Sequence, residues 1–469
     1  MSDSLTMNAA DQVAAMTSGQ LSAEAVMQAT LERIAEVNPS VNAIVSLRGE
    51  AELLAEARAV DQGDALGPLH GLPIAIKDLA DARGLPTSMG SPSFAGQIAD
   101  QDSLHVARIR AAGAIIIGKT NTPEFGLGSH TYNPVHGTTL NPYDRSVTCG
   151  GSSGGAAVAL ATGMLSIADG SDMMGSLRNP AGWNNVYGMR PSWGRVPDTP
   201  EGDTFLHRLS TNGPMARCPS DLALLLDVMA GPDPRQPGGL PGEKIGGLSG
   251  DVTGKRIGWL ADWGGALPYE DGILPLCEDA LDVFHELGCE VEPLAPPFSR
   301  DALWDSWTTL RSFSVATGLA PLMDNQETRG QLKSEAIWEA ERGLAMSAME
   351  VQRASVIRSE WFTHVAGLFE RFDALALPMA QVWPFPVETT WPRNVAGVEM
   401  DTYHRWMECV IPVSLIGLPA VSVPAGFGSR GLPMGVQLAG AYGNDRAVLE
   451  LAEAYHRATD WPGQRPPPL

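Results

Sequence analysis

Apolar positions recur along this chain in two rhythms, one helical and one extended. Val26, Thr30, Ile34 and Val37 fall three to four apart behind Ser22, whose hydroxyl suits an N-cap, and Glu24 sits in the first turn. That period predicts an amphipathic helix, which Pro39 is expected to end because it lacks a backbone N–H. A second helix is predicted over 50–60. Then the rhythm changes. Residues 73–77 (Pro-Ile-Ala-Ile-Lys) and 114–118 (Ala-Ile-Ile-Ile-Gly) are short apolar runs, and 103–112 between them has helical character. Strand, helix, strand at this spacing predicts a βαβ unit in a parallel or mixed sheet. Small residues at 156–162 predict a helix directly behind a glycine-rich turn. Downstream, strands at 255–260 and 290–293 flank a helix at 274–287, and further core strands are expected at 375–377, 420–423 and 434–438. The segments 301–318 and 331–372 keep a helical period with no strand between them, which predicts a helical layer packed on the sheet. Residues 381–392 are rich in Pro and Trp and are read as a rigid surface connection; the alternative is a wall of a substrate pocket, to which Trp183, Trp383 and Trp391 would contribute unless they are simply core.

Charge narrows the partners. The 469 residues carry 54 acidic against 32 basic side chains, a formal net charge of −22. Such a surface opposes binding to a phosphate backbone, so no nucleic acid is expected, and it opposes anchoring on an anionic membrane. The five cysteines are scattered and form no Cys-x-x-Cys pair. Reduced, buried thiols in a cytoplasmic protein are therefore expected, with no zinc site. The N-terminal residues 1–12 show no basic segment followed by an apolar run, so no signal peptide is read there, and no apolar stretch reaches the length of a membrane span.

The densest chemical signal is Cys149-Gly-Gly-Ser-Ser-Gly-Gly155. A glycine-rich turn opening a helix brings backbone N–H groups close to a ligand. Alone it could be a plain turn or a phosphate cradle, but it lacks the Gly-Lys-Ser/Thr ending of a P-loop and the spacing of a dinucleotide site. Residues 150–154 also fit the Gly-x-Ser-x-Gly elbow of serine esterases. That motif needs a strand before it, and Asn141-Pro-Tyr-Asp-Arg-Ser146 reads as loop. A second serine, Ser176, and a lysine ending a buried strand, Lys77, complete a different constellation.

Three blocks, Gly71-Leu-Pro-Ile-Ala-Ile-Lys-Asp78, Gly150 to Gly155, and Gly170-Ser-Asp-Met-Met-Gly-Ser-Leu-Arg-Asn-Pro180, together resemble the amidase signature family. Gly188-Met-Arg-Pro-Ser-Trp-Gly-Arg-Val196, Asn212-Gly-Pro-Met-Ala-Arg217, Gly417-Leu-Pro-Ala-Val-Ser-Val-Pro-Ala-Gly426 and Leu432-Pro-Met-Gly-Val-Gln-Leu438 extend the resemblance in order along most of the chain. It implies an α/β fold, a large mixed β-sheet core covered by helices on both faces. It also implies a single domain over 1–469: an N-terminal helical wrap (about 1–65), the signature core (66–240), a variable pocket region (241–400) and a C-terminal core block (401–469).

Amide hydrolysis needs an activated nucleophile, an oxyanion stabiliser and a proton donor for nitrogen. By resemblance, Ser176 is the nucleophile, Ser152 (after a cis peptide bond) bridges it to Lys77, and Lys77 is the base. The backbone N–H groups of Met173, Met174, Gly175 and Ser176 form the oxyanion hole, and Gly126 and Ser153 approach the substrate, although Ser153 has an alternative as a hydrogen-bond partner of nearby backbone. Lys77 must be neutral to act, and its apolar strand supplies the desolvation that favours this. The chain departs from the family pattern at Met174, where glycine is usual, which re-shapes the pocket floor. No metal and no organic cofactor are implied. Asp172 and Arg178 are read as an ion pair bracing the loop, Lys119 as structural, His130 and His136 as uninvolved, and Cys149 as a buried inert thiol. Residues 173–185 are also similar to those of 6-aminohexanoate cyclic-dimer hydrolases. The partner expected is a small-molecule amide, with a homodimer as the candidate assembly. Competing readings are the glutaminase component of a tRNA-dependent amidotransferase and a non-catalytic scaffold on the same fold.

Overall fold

The structure, a computed structural model, describes residues 3–468. Three strands form a small sheet: β1 (Ile44–Val45), β2 (Pro73–Lys77) and β3 (Ile115–Thr120). β2 and β3 run parallel and are joined through the helix Leu104–Ala111, while β1 pairs antiparallel with β3. This is the expected βαβ unit, and every residue of β2 and β3 is buried.

The main sheet has eight strands: β4 (Ile167–Asp172), β5 (Tyr187–Arg190), β6 (Thr211–Ala216), β7 (Arg256–Trp259), β8 (Glu290–Pro293), β9 (Ala374–Pro378), β10 (Ala420–Phe427) and β11 (Pro433–Ala439). Their order is β8-β7-β9-β11-β10-β5-β6-β4. β8, β7 and β9 are mutually parallel and the remaining pairs antiparallel, so the sheet is mixed. The helices Gly154–Ala161 and Arg178–Trp183 cover one face, and Pro219–Met229, Ile273–Glu286 and Asp445–Thr459 pack together on the other. Such cover on both faces explains why the central strands β9, β10 and β11 are buried at almost every position instead of alternating between buried and exposed. Among the described residues, no helix is long and apolar enough to cross a membrane.

Several expectations need correction. The first long helix does not end at Pro39 but runs Ala23–Val41, with Asn42 as a left-handed cap. Pro39 removes one N–H, but buried Val37 and Val41 hold the last turn, and Asn42 N–H still reaches Asn38 O at 2.7 Å. The predicted helix over 331–372 is two helices, Ser334–Leu344 and Ala348–Leu368, divided by a capping box in which Ser347 and Glu350 satisfy each other's backbone donors. Together with Arg300–Met323 these helices pack mainly on one another. Trp361 ties them to the core, donating from Nε1 to Pro412 O at 2.8 Å. Residues 381–385 are not a surface connection. Phe385 is buried edge-on to Trp183 and Trp406, and Trp183 stacks on Trp406 with centroids 5.8 Å apart. Trp183 and Trp383 are thus core residues, and Trp391 lies beneath the guanidinium of Arg393.

Candidate active site

Lys77 ends β2 where the small sheet meets the main one. Its backbone N–H donates to Asp169 Oδ1 on β4 at 2.8 Å, which fixes the strand end against the neighbouring sheet. The residue is 1% exposed and its Nζ is surrounded by hydroxyls. Nζ lies 2.7 Å from Ser152 Oγ, 2.8 Å from Ser153 Oγ and 3.1 Å from Ser171 Oγ. Burial pushes the Lys77 pKa down to about 7, against the opposing pull of the Asp169 and Asp172 carboxylates. At neutral pH a large share of this lysine is therefore an unprotonated base.

Ser152 sits in the glycine-rich turn ahead of Gly154–Ala161, and the Gly151–Ser152 peptide bond is cis. The turn is glycine-rich because neighbouring atoms press against it, the side chains of Asn179 and Thr131 at Gly150, Gly151 and Gly154 and backbone at Gly155. A Cβ on Gly155 would lie 2.3 Å from Asn121 N and 2.5 Å from Ala43 O, so no side chain fits.

Ser176 lies in the loop between β4 and the helix Arg178–Trp183. Asp172 organises this loop: its carboxylate accepts from Gly175 N at 2.8 Å and Leu177 N at 3.2 Å, and from Arg178 Nε at 3.0 Å. Arg190 donates to the Asp172 carbonyl from the other side. Burial alone would raise the Asp172 pKa, but the two guanidiniums and these N–H donors reverse that and hold the carboxyl well below the usual range. Replacing Asp172 with alanine leaves two fully buried arginines without their carboxylate. Asp172→Ala is expected to lose about 3–5 kcal/mol of stability, measured as a denaturant midpoint at unchanged slope. A midpoint equal to wild type would remove Asp172 as the brace.

Ser152, Ser176, Ser171, Met173, Met174 and Gly126 line a common cavity of about 110 Å³. Ser176 is 8% exposed and its Oγ makes no hydrogen bond with any described residue. The sequence-derived set is thus largely assembled, with three differences. Ser153, expected at the substrate, is turned inward: it is fully buried against Lys77 and does not line the cavity. The N–H of Gly175, expected in the oxyanion hole, is directed at Asp172 instead. The N–H groups of Met173, Met174 and Ser176 have no acceptor among the described residues. The turn of the loop falls on Gly175, at φ +81°, and Met174 has no positive φ, so a side chain fits where glycine is usual. Ser171, a contact of Lys77 that sequence reasoning missed, stands inside the Gly170–Pro180 block.

The residues read as uninvolved make contacts of their own with neighbouring groups. Lys119 Nζ donates to Ala80 O at 2.6 Å and Thr87 Oγ1 at 3.1 Å. His130 Nδ1 lies 3.1 Å from Thr389 O, and His136 Nε2 is 3.6 Å from Asp78 Oδ2. Burial pushes the Cys149 thiol up to about 12, which leaves it protonated and inert.

The amidase family profile matches residues 25–449. The acylamidase of Rhodococcus erythropolis is 34% identical, over 98% of this chain and 97% of its own. A glutamyl-tRNA(Gln) amidotransferase component from Chloroflexus aurantiacus is also 34% identical, over 98% of each chain. Among solved structures, a bacterial aryl acylamidase of the amidase signature enzymes superposes with a TM-score of 0.91 at 30% identity, covering 99% of both chains.

Proposed function

The chain belongs to the amidase family and hydrolyses carbon–nitrogen bonds of amides; on that premise we propose that its substrate is a small carboxylic amide cut through an acyl-enzyme on Ser176. The observation that carries this reading is a buried lysine, held near pKa 7, whose Nζ lies 2.7 Å from Ser152 Oγ in a cavity shared with Ser176. Ser176 Oγ attacks the carbonyl carbon as its proton passes to Ser152 Oγ and the Ser152 proton passes to neutral Lys77. The N–H groups of Met173, Met174 and Ser176 take the developing oxyanion. The C–N bond then breaks, and the proton returns from Lys77 through Ser152 to the leaving nitrogen. Water then attacks the ester carbonyl as its proton passes through Ser152 to Lys77, and as the acyl–oxygen bond breaks that proton returns through Ser152 to Ser176 Oγ, freeing the acid.

The five cysteines are free and buried, which supports a reducing, cytoplasmic setting. The test is a panel of primary, aryl and cyclic amides together with glutamine, scoring free amine and ammonia separately, with quenched reactions mapped by mass spectrometry. The expected result is turnover of at least one small amide and a transient acyl adduct on the Ser176 peptide. Turnover with the adduct on the Ser152 peptide would overturn the assignment. Glutamine cleaved to the exclusion of the other amides would move the reading to the glutaminase branch.

A further inference from the structure

We propose that Arg311 is a specificity-determining residue whose Nη1 group receives a second carbonyl oxygen of the substrate, so that preferred substrates carry a neutral oxygen acceptor beside the scissile amide. The inference rests on the amide-hydrolase reading of this cavity and adds the substrate class. Arg311, on the helix Arg300–Met323, is the charged side chain lining the cavity that holds Ser152 and Ser176; the wall is otherwise apolar or hydroxyl-bearing. It is 3% exposed. Its other donors are fixed from behind: Nε lies 2.7 Å from Glu339 Oε1 and Nη2 donates to Tyr403 Oη at 2.8 Å. Tyr403 in turn donates to Glu339 Oε1 at 2.9 Å, and Ser312 to Glu339 Oε2.

Nη1 is different. Among the described residues its partner is the Met173 sulfur at 3.2 Å, a weak acceptor. A buried guanidinium whose Nε and Nη2 are held by oxygen acceptors and whose Nη1 has only a thioether sulfur, beside a cavity that its own side chain lines, is a preorganised donor lacking a strong acceptor. Two observations favour a neutral acceptor over a carboxylate. The Arg311 charge is already balanced by buried Glu339. The adjoining cavity of about 380 Å³, which shares Leu79, Met173 and Ser210 with the catalytic one, is lined by Asp81, Asp198, Glu201 and Asp203 and by no lysine or arginine. A carboxylate would enter against that field.

The test takes the best amide of the panel and three analogues of its acyl chain, bearing a carbonyl, a methylene or a carboxylate at one position. Wild type is expected to favour the carbonyl over the methylene analogue by about tenfold to a hundredfold in kcat/KM, the range of a charge-assisted hydrogen bond, with the difference in KM. In Arg311→Lys, which keeps the charge but loses the fork, that ratio is expected to fall below about threefold. A purely structural role would lower kcat on both analogues by one factor and leave the ratio intact, and that result overturns the proposal. So does a wild-type enzyme indifferent to the carbonyl, a measurement that needs no variant to fold, and so does preference for the carboxylate. Failure of the underlying hydrolase reading is separate: it would be seen as methylene-analogue turnover that survives in Ser176→Ala.

Discussion

Ser176→Ala is expected to lower amide turnover by about a millionfold, to the assay floor, while leaving the unfolding midpoint near wild type. Both halves follow from its surroundings. The hydroxyl makes no hydrogen bond with any described residue, so its removal strands no partner, and the loop is held by Asp172 through Gly175 and Leu177 instead. The effect is chemical because the variant loses the atom to which the acyl group is transferred. Backbone donors alone leave only the modest residual catalysis that binding and charge stabilisation supply. Turnover that persists in the folded variant would point to Ser152, which occupies the same cavity.

The second large effect concerns Lys77. Lys77→Met, which fills a similar volume without a base, is expected to lower the acylation rate by about 10²–10⁴-fold. The pH dependence has a definite sign. Burial brings the folded pKa to about 7, and the neutral amine is the working form. Wild-type acylation should therefore rise with pH below 7, approaching about tenfold per unit on the acid side, and level off above it. The variant should lose that step. Asp169 and Asp172 pull the pKa upward, and Arg178 and Arg190 beside Asp172 counter the latter's charge. A single-turnover profile that is flat across the neutral range in wild type would remove Lys77 from the role of base.

The site was more legible in the sequence than the sheet around it. β2 and β3 announce themselves as apolar runs. β4, β5 and β6 do not, because Ile-Ala-Asp-Gly-Ser-Asp, Tyr-Gly-Met-Arg and Thr-Asn-Gly-Pro-Met-Ala carry the residues that strands usually avoid. The structure shows why those residues are there. A Cβ on Gly188 would lie 2.3 Å from Leu177 O, and one on Gly213 would lie 2.3 Å from Met189 O. Close approach of the Ser176 loop at Gly188 and of the neighbouring strand β5 at Gly213 thus overrides strand propensity at these glycines. The capping box at Ser347 and Glu350 is readable but hidden inside a continuous helical period. The network of Arg311, Glu339 and Tyr403 is not readable at all: its members come from separate helices and a loop, and no local spacing links them. Ser153 turns away from the cavity because motif position does not say which way a side chain points.

The proposed nucleophile and base belong to the strand ends and tight turns of the sheets, whereas Arg311 and Val315 on the helix Arg300–Met323 and Met407 in the turn Arg405–Val410 supply a wall facing them. The two parts touch where Arg311 meets Met173. Heredity and engineering can therefore act on them separately. On the proposed reading, drift at 311, 315 or 407 is expected to alter which molecule is admitted while the bond-breaking apparatus is inherited unchanged. A library confined to those three positions would explore new substrates with the chemistry held constant.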